Sequence, residues 1–410
     1  MTAVSPLAGR CAADRFPGVL AARRDGRVLA DNGAGAQVPR ETIDAVARFM
    51  ELENAQKGAP FARKVRVSAM ISEAKDAFAD LIGVPHGTTG FGLNATTIAF
   101  SLARTIAHTI RPGDRIVVTD SDHYANIAPW TWLTRFGAEV VRIPVDARGE
   151  LDERAYVNAL AQEPVLVALP WASNATGNIF DVARLSAAAK DAGAIAIVDG
   201  VQAGPHLRVD VPASVDALFF SAYKIYAPHF GAWYAHPDFA RRFFTSDDPF
   251  VPSAAVNWSM ETGTQNHEGL AGWNGTIAYL RSTAGGDVRA AMDRIAAYER
   301  DLSTYALRSF EERAALLTLY GRRTADRLPV FAFNVRDGSS GFVDPITVAQ
   351  ALDAENIEAS AGNYYSPNLL KTLAPETNGT AVRFSFAHYN DTTDVDRCFA
   401  ALDALIGAAV

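Results

Sequence analysis

Cysteine and lysine are the scarce residues of this chain. Two cysteines among 410 residues, Cys11 and Cys398, exclude a disulfide scaffold. A zinc site would have to be drawn mainly from histidines and carboxylates. The eight histidines show no HExxH spacing or comparable ligand pair, and His86, His108, His229 and His236 read as loop or surface residues. Six of the 38 basic residues are lysines, so each lysine can be weighed singly. No apolar run reaches the ~18 residues of a membrane-spanning helix, so no membrane partner is expected. The leading stretch MTAVSPLAGRCAADRF lacks the apolar core of a secretory signal, and the cytoplasm is the expected compartment. A net charge of -8 argues against a concentrated basic face, and hence against nucleic acid as a partner.

What remains is the composition of a globular protein with a large core: 49% hydrophobic and 20% charged residues. The runs RIVVTD (115–120), EVVRIPV (139–145), PVLVALP (164–170), AIAIVDG (194–200) and ALFFSAY (217–223) are short, β-branched or aromatic, and apolar on successive residues. That is the pattern of strands covered on both faces. Helical patterns at 124–136, 151–162 and 181–192 separate them, which predicts a mostly parallel α/β sheet. A long amphipathic stretch at 288–317 leads to a smaller α+β part: PVFAFNV (329–335), a helix near 345–355, VRFSFAHYN (382–390) and a last helix at 391–407.

In such a sheet ligands sit beyond the carboxyl ends of the strands. Polar residues fall there after several consecutive strands: Asp122, His123 and Asn126; Ser173 and Asn174; Asp199, Gln202 and His206; and Lys224. Taken singly, each serves equally well as a cap or loop residue, and their coincidence at one edge carries the signal. A lysine at a strand end beside Tyr223, Tyr226 and Phe230, read as an aromatic loop, is a candidate Schiff-base former, because desolvation lowers its pKa. An acid such as Asp199 at a neighbouring strand end suits the pyridine nitrogen of pyridoxal phosphate. The stretch GTTGFGLNATT offers a phosphate-binding helix start at Ala95 and Thr96. It has no Walker lysine, and no strand is expected to run into it.

DSDHYANIAPW (120–130), SNATGNIFDVARL (173–185), VDGVQAGPHLRVDV (198–211), SAYKIYAPHFGAWY (221–234), ETGTQN (261–266) and VRFSFAHYN (382–390) occur in one order. Together they resemble fold-type I pyridoxal-phosphate enzymes of the class V aminotransferase group. Within that group the chain is most similar to the branch of cysteine desulfurases, selenocysteine lyases and isopenicillin N epimerase. The resemblance implies a large seven-stranded-type sheet domain at 36–287, a small domain at 288–410, and a 1–35 segment packing with the latter. It implies that Lys224 carries the cofactor, Asp199 meets the pyridine nitrogen and His123 stacks on the ring. Gln202 and Asn174 would contact the phenolic oxygen. Ala95, Thr96 and Ser221 would cradle the phosphate, with Tyr223 beside the lysine. Thr264 would reach the phosphate from a second subunit, so a homodimer is implied. Arg383 would grip the substrate carboxylate. Asn126, Tyr364 and Tyr365 are candidate substrate contacts, and Trp130, Trp132 and Trp258 can widen an aromatic pocket.

Two departures from the family matter. Desulfurases usually place a histidine before the lysine, where this chain has Tyr223. They also carry a mobile-loop cysteine, whereas the corresponding stretch SAGNYYSPNLLKTL (360–373) has none. Cys398 falls on a periodic helical pattern and reads as core. The reading that follows is a C–S lyase acting by β-elimination on a cysteine-derived or S-conjugated amino acid, in a natural-product setting. Transamination, epimerisation and decarboxylation use the same residues and stay open, and a non-catalytic binding protein on the same fold is the remote alternative.

Overall fold

The structure, a computed structural model, describes residues 12–244, 260–338 and 341–409. A short first strand, β1 (Val28–Leu29), precedes a seven-stranded sheet. That sheet contains β2 (Thr89–Gly92), β3 (Arg115–Thr119), β4 (Glu139–Ile143), β5 (Leu166–Pro170), β6 (Ile195–Asp199), β7 (Ala217–Ser221) and β8 (Gly231–Ala235). Its order is β2-β8-β7-β6-β5-β3-β4. The pairs β7–β6, β6–β5, β5–β3 and β3–β4 are parallel, and β8 runs antiparallel to both its neighbours. This is the mostly parallel α/β sheet that the sequence pattern predicts.

The apolar runs other than the edge strand β4 are strands buried on both faces, and successive residues divide between two cores. On β5, Val167 and Leu169 face one core while Leu166 and Ala168 face the other. On β7, Leu218 and Phe220 face the first while Ala217 and Phe219 face the second. Phe78 and Trp273, from helices Ala62–Ile82 and His267–Thr283, close the first core. Ile98 and Leu102, from helix Ala95–Ala107, close the second. Burying each such side chain stabilises the fold by about 1.5–3 kcal/mol.

A second sheet is antiparallel, in the order β12-β13-β10-β9. It consists of β9 (Leu317–Leu319), β10 (Val330–Val335), β12 (Ser360–Gly362) and β13 (Ala381–Ser385). Phe331 and Phe333 from β10 and Phe384 from β13 pack on Phe399 of the last helix, Thr392–Ala409. β1 pairs in parallel with β11 (Ile357–Glu358), which ties the start of the chain to this second part. Asp31 then bridges to Ser385.

Three expectations need correction. The 124–136 stretch is not one helix. It is a 3-10 turn (Tyr124–Asn126), a short α-helix (Ala128–Trp132) and another 3-10 turn (Leu133–Phe136). Pro129 has no N–H to bond back to Ala125, so a continuous helix cannot pass through it. A strand does run into the glycine-rich stretch: β2 is made of TGFG itself. Its glycine at position 90 is required by packing, because a Cβ there would lie 2.2 Å from Trp233 Cζ2. Finally, β4 is the edge strand of the sheet and is half-exposed rather than covered on both faces. Tyr226 and Phe230 do lie in the loop before β8, and both are buried in the core.

Candidate active site

The strand order places the site. β3 leads on to β4 on one side, while β5 pairs on the other side of β3. The loops leaving β3 and β5 therefore part and open a crevice at their carboxyl ends. A cleft of about 480 Å³, partly open to solvent, lies there. Its walls come from β3 (Asp122, His123, Ala125), β5 (Pro170, Ala172, Asn174), β6 (Asp199, Val201, Gln202), β7 (Ser221, Tyr223, Lys224) and the helix start (Ala95, Thr96).

Lys224 ends a 3-10 turn directly after β7 and is 8% exposed. Among the described residues its amine has no hydrogen-bond or ion-pair partner. Burial, reinforced by the Arg383 charge and opposed by Asp199 and Asp31, pulls its pKa down from 10.5 to about 7. Asp199 is the last residue of β6. One of its oxygens accepts the Val201 N–H at 2.8 Å. Burial raises its pKa to about 6, against the pull of that N–H and of Lys224.

His123 caps the turn after β3, with Nδ1 accepting the Ala125 N–H at 3.0 Å. Burial first, then the Lys224 and Arg383 charges, push its pKa down to about 3. The ring is therefore neutral at pH 7 and carries its proton on Nε2. Gln202 Nε2 donates to Gly33 O at 2.9 Å, while Oε1 is buried with no partner among the described residues. Asn174 Nδ2 donates to Tyr364 O and its Oδ1 accepts from Ser366, both at 2.7 Å, so it ties the 360–373 stretch to the cleft wall. Asn94 caps the helix through Thr97 N, leaving the amides of Ala95 and Thr96 without intrahelical acceptors. Tyr223 stacks on His229 at 4.8 Å.

Other expected contacts fall elsewhere. Asn126 is fully buried outside the cleft lining. Its amide donates to Asp122 at 2.8 Å and to Leu169 O at 3.2 Å, and its oxygen accepts from Trp130 Nε1 at 3.0 Å. It holds the β3 loop and has no face left for substrate. Trp130 is likewise core, Trp132 packs on Phe136, and Trp258 and Cys11 lie outside the described residues. Ser173 caps the turn at Thr176 N. Thr264 is exposed and away from this chain's own cleft. Tyr365 is 70% exposed, with its ring 5.4 Å from His123. Tyr364 lies under the Arg383 guanidinium at 4.3 Å. Arg383, on β13, is 3% exposed and does not line the cleft. Its hydrogen bonds go to Asn174 O and Asp31.

Two acids escaped the sequence reading of the site. Asp122 was noted at its strand end but given no role. It lines the cleft with its carboxyl pushed well above the usual range by burial. Asp31, in ADNGAGA, had no strand-end signal to mark it.

The family model for class V aminotransferases matches residues 28–398. The chain belongs to the class V aminotransferase family. It is a pyridoxal-phosphate-dependent enzyme. It is 29% identical over 389 residues to a probable cysteine desulfurase of Mycolicibacterium paratuberculosis, covering 89% of this chain and 53% of that protein. It is 29% identical over 410 residues to a cysteine desulfurase of Pectobacterium atrosepticum, covering 95% of this chain and 96% of that one. Among solved structures it resembles the Escherichia coli cysteine desulfurase CsdA, with a TM-score of 0.82, 26% identity, and coverage of 97% of this chain and 98% of that one.

The cleft's chemistry fits the cofactor of this family. It offers a buried amine without a partner, a carboxylate bonded at one oxygen, an orphaned amide oxygen on Gln202, and two open amides at a helix start. No helix among the described residues is long and apolar enough to cross a membrane.

Proposed function

We propose that this enzyme is a C–S lyase that cleaves a cysteine-derived or S-conjugated amino acid by β-elimination. The observation that carries this reading is the 360–373 stretch. It brings Tyr364, Tyr365 and Ser366 to Asn174 and His123 and contains no thiol. Cys398 is wholly buried in the last helix, with its thiol pKa raised by burial. Relatives named cysteine desulfurases support sulfur-bearing amino acids as the substrate class, and the lack of a cysteine in the 360–373 stretch favours release over persulfide capture.

In this reading Lys224 holds the cofactor, Asp199 faces its pyridine nitrogen and His123 lies against its ring. Ala95, Thr96 and Ser221 receive the phosphate, helped by Thr264 of a second copy in a homodimer. Gln202 and Asn174 lie toward the phenolic oxygen, and Arg383 takes the substrate carboxylate. Residues 36–287 form the cofactor domain and 288–410 the smaller domain, with 1–35 packed on it. The enzyme works in the cytoplasm.

Bound pyridoxal phosphate supplies the electron sink that stabilises negative charge at the substrate Cα. The Lys224 amine, whose pKa burial pulls down toward neutrality, is the base that removes the Cα proton. The Lys224 ammonium so formed can return that proton to the departing thiolate, to which the neutral His123 Nε2–H can donate a hydrogen bond. The balance is one S-substituted cysteine and one water giving one thiol, one pyruvate and one ammonium.

The test is incubation of the loaded enzyme with S-methyl- and S-aryl-L-cysteine. Thiol and pyruvate appearing together, and lost in Lys224→Ala, support the reading. A pyridoxamine phosphate spectrum with no thiol would overturn it in favour of transamination.

A further inference from the structure

Arg383 has a carboxylate partner before any substrate arrives. Its Nη2 donates to Asp31 Oδ1 at 2.7 Å, and its Nη1 donates to Asn174 O at 3.0 Å. The Tyr364 ring covers one face of the guanidinium, and its Nε is buried without a partner among the described residues. The two ion-pair partners differ in access. The Arg383 side chain is 3% exposed and that of Asp31 is 29% exposed, so a ligand arriving from solvent meets Asp31 first. Asp31 is held a second time, its other oxygen accepting from the Ser360 hydroxyl of β12. Both members of the pair act electrostatically on Lys224, Arg383 lowering its pKa and Asp31 raising it. The pair therefore belongs to the site, although neither residue lines the cleft.

We propose that Asp31 is a specificity-determining residue, an internal carboxylate that occupies Arg383 and yields only to an amino acid whose amine replaces Lys224 on the carbonyl carbon of the cofactor. The proposal rests on the reading of Arg383 as the carboxylate anchor. Asp31 is tethered, so its effective concentration at the guanidinium is high, and a free carboxylate must displace a charge-assisted hydrogen bond to enter. A simple carboxylate has nothing further to gain there. An α-amino acid gains a second attachment, its amine taking the place of Lys224 on the cofactor and releasing the lysine. Competition thereby selects amino acids over the keto and desamino acids around them.

Calorimetry on the pyridoxal-phosphate-loaded enzyme tests this, with propionate as the probe and propionamide as its neutral control. Wild type binds propionate weakly. Asp31→Asn binds it at least about tenfold more tightly, the equivalent of one charge-assisted hydrogen bond, with propionamide unchanged. Adding Arg383→Gln to Asp31→Asn removes that gain. Ser360→Ala keeps the ion pair but loosens Asp31, and it gives a smaller tightening; it also serves if Asp31→Asn does not fold.

A folded Asp31→Asn with a normal cofactor spectrum and unchanged or weaker propionate binding would overturn the proposal, because Asp31 would then only hold the arginine in place. Unchanged binding in Ser360→Ala, or a gain that survives Arg383→Gln, would also overturn it. These readouts are of binding, so they stand apart from any failure of the enzyme to release thiol.

Discussion

Lys224 is the residue on which the proposed chemistry turns, and its environment gives it a pH signature. In the cofactor-free protein its pKa of about 7, against 10.5 in an exposed lysine, raises the unprotonated fraction at pH 7 by about a thousandfold. Capture of pyridoxal phosphate by the apoprotein, followed by absorbance, is expected to accelerate through a midpoint near pH 7 and then level off. Arg383→Gln removes the second-largest cause of the depression and shifts that midpoint upward. A rate still climbing at pH 10 would contradict this account.

Stability follows with its own sign. Between about pH 7 and 10.5 the unfolded chain binds the extra proton at Lys224, so this residue's contribution to apoprotein stability rises with pH across that window. Asp199 acts oppositely. Its folded pKa of about 6 lies above 3.8, so its contribution falls as pH rises between those values. At this scale the sequence was informative. Lysine scarcity singled out Lys224, and strand-end position brought in Asp199, His123 and Gln202. Asp31 could not be read in the same way, because its role comes from Arg383, 352 residues away in the chain.

The strand-end loops are the elements that build the site, and local side-chain stacks hold them. The loop after β3 is held by a chain of bonds from Thr119 to Asp122, from Asn126 to Asp122, and from Trp130 to Asn126. Replacing Asn126 by Ala leaves the Trp130 N–H buried without its partner and removes one donor from the Asp122 carboxyl. The expected loss is about 2–3 kcal/mol of unfolding free energy, read by denaturant titration, with His123 still able to support cofactor binding.

The same loop shows where periodicity fails. The spacing of apolar residues favoured a helix across 124–136, while Pro129 and the His123 cap broke it into three turns. β2 was unreadable for a related reason. Its glycines carry no strand propensity; Gly90 leaves space for Trp233 of the neighbouring strand, and Gly92 for Ile98 of the helix that follows. The buried strands β3, β5, β6 and β7 were legible because both of their faces are covered, which leaves a continuous apolar run in the sequence.

At the scale of the molecule, the two sheets are joined by buried polar contacts that no local pattern announces. His206, after β6, pairs with Glu299 of helix Val288–Glu312 at 2.8 Å, and His388, after β13, bonds Tyr279 of helix His267–Thr283 at 2.7 Å. Assembly is the other property of this scale. Light scattering of the loaded enzyme is expected to give twice the chain mass. Thr264→Ala is expected to speed cofactor loss on dialysis by about tenfold without changing that mass. A monomer with an intact cofactor spectrum would remove Thr264 from the site.

The central claim, elimination without a persulfide-forming thiol, is tested most directly by the pyruvate-to-alanine ratio. This is read by proton NMR after the loaded enzyme has consumed an S-substituted L-cysteine. The account predicts pyruvate and free thiol in equal amounts with no alanine. Alanine formed with sulfur retained on the protein would contradict it.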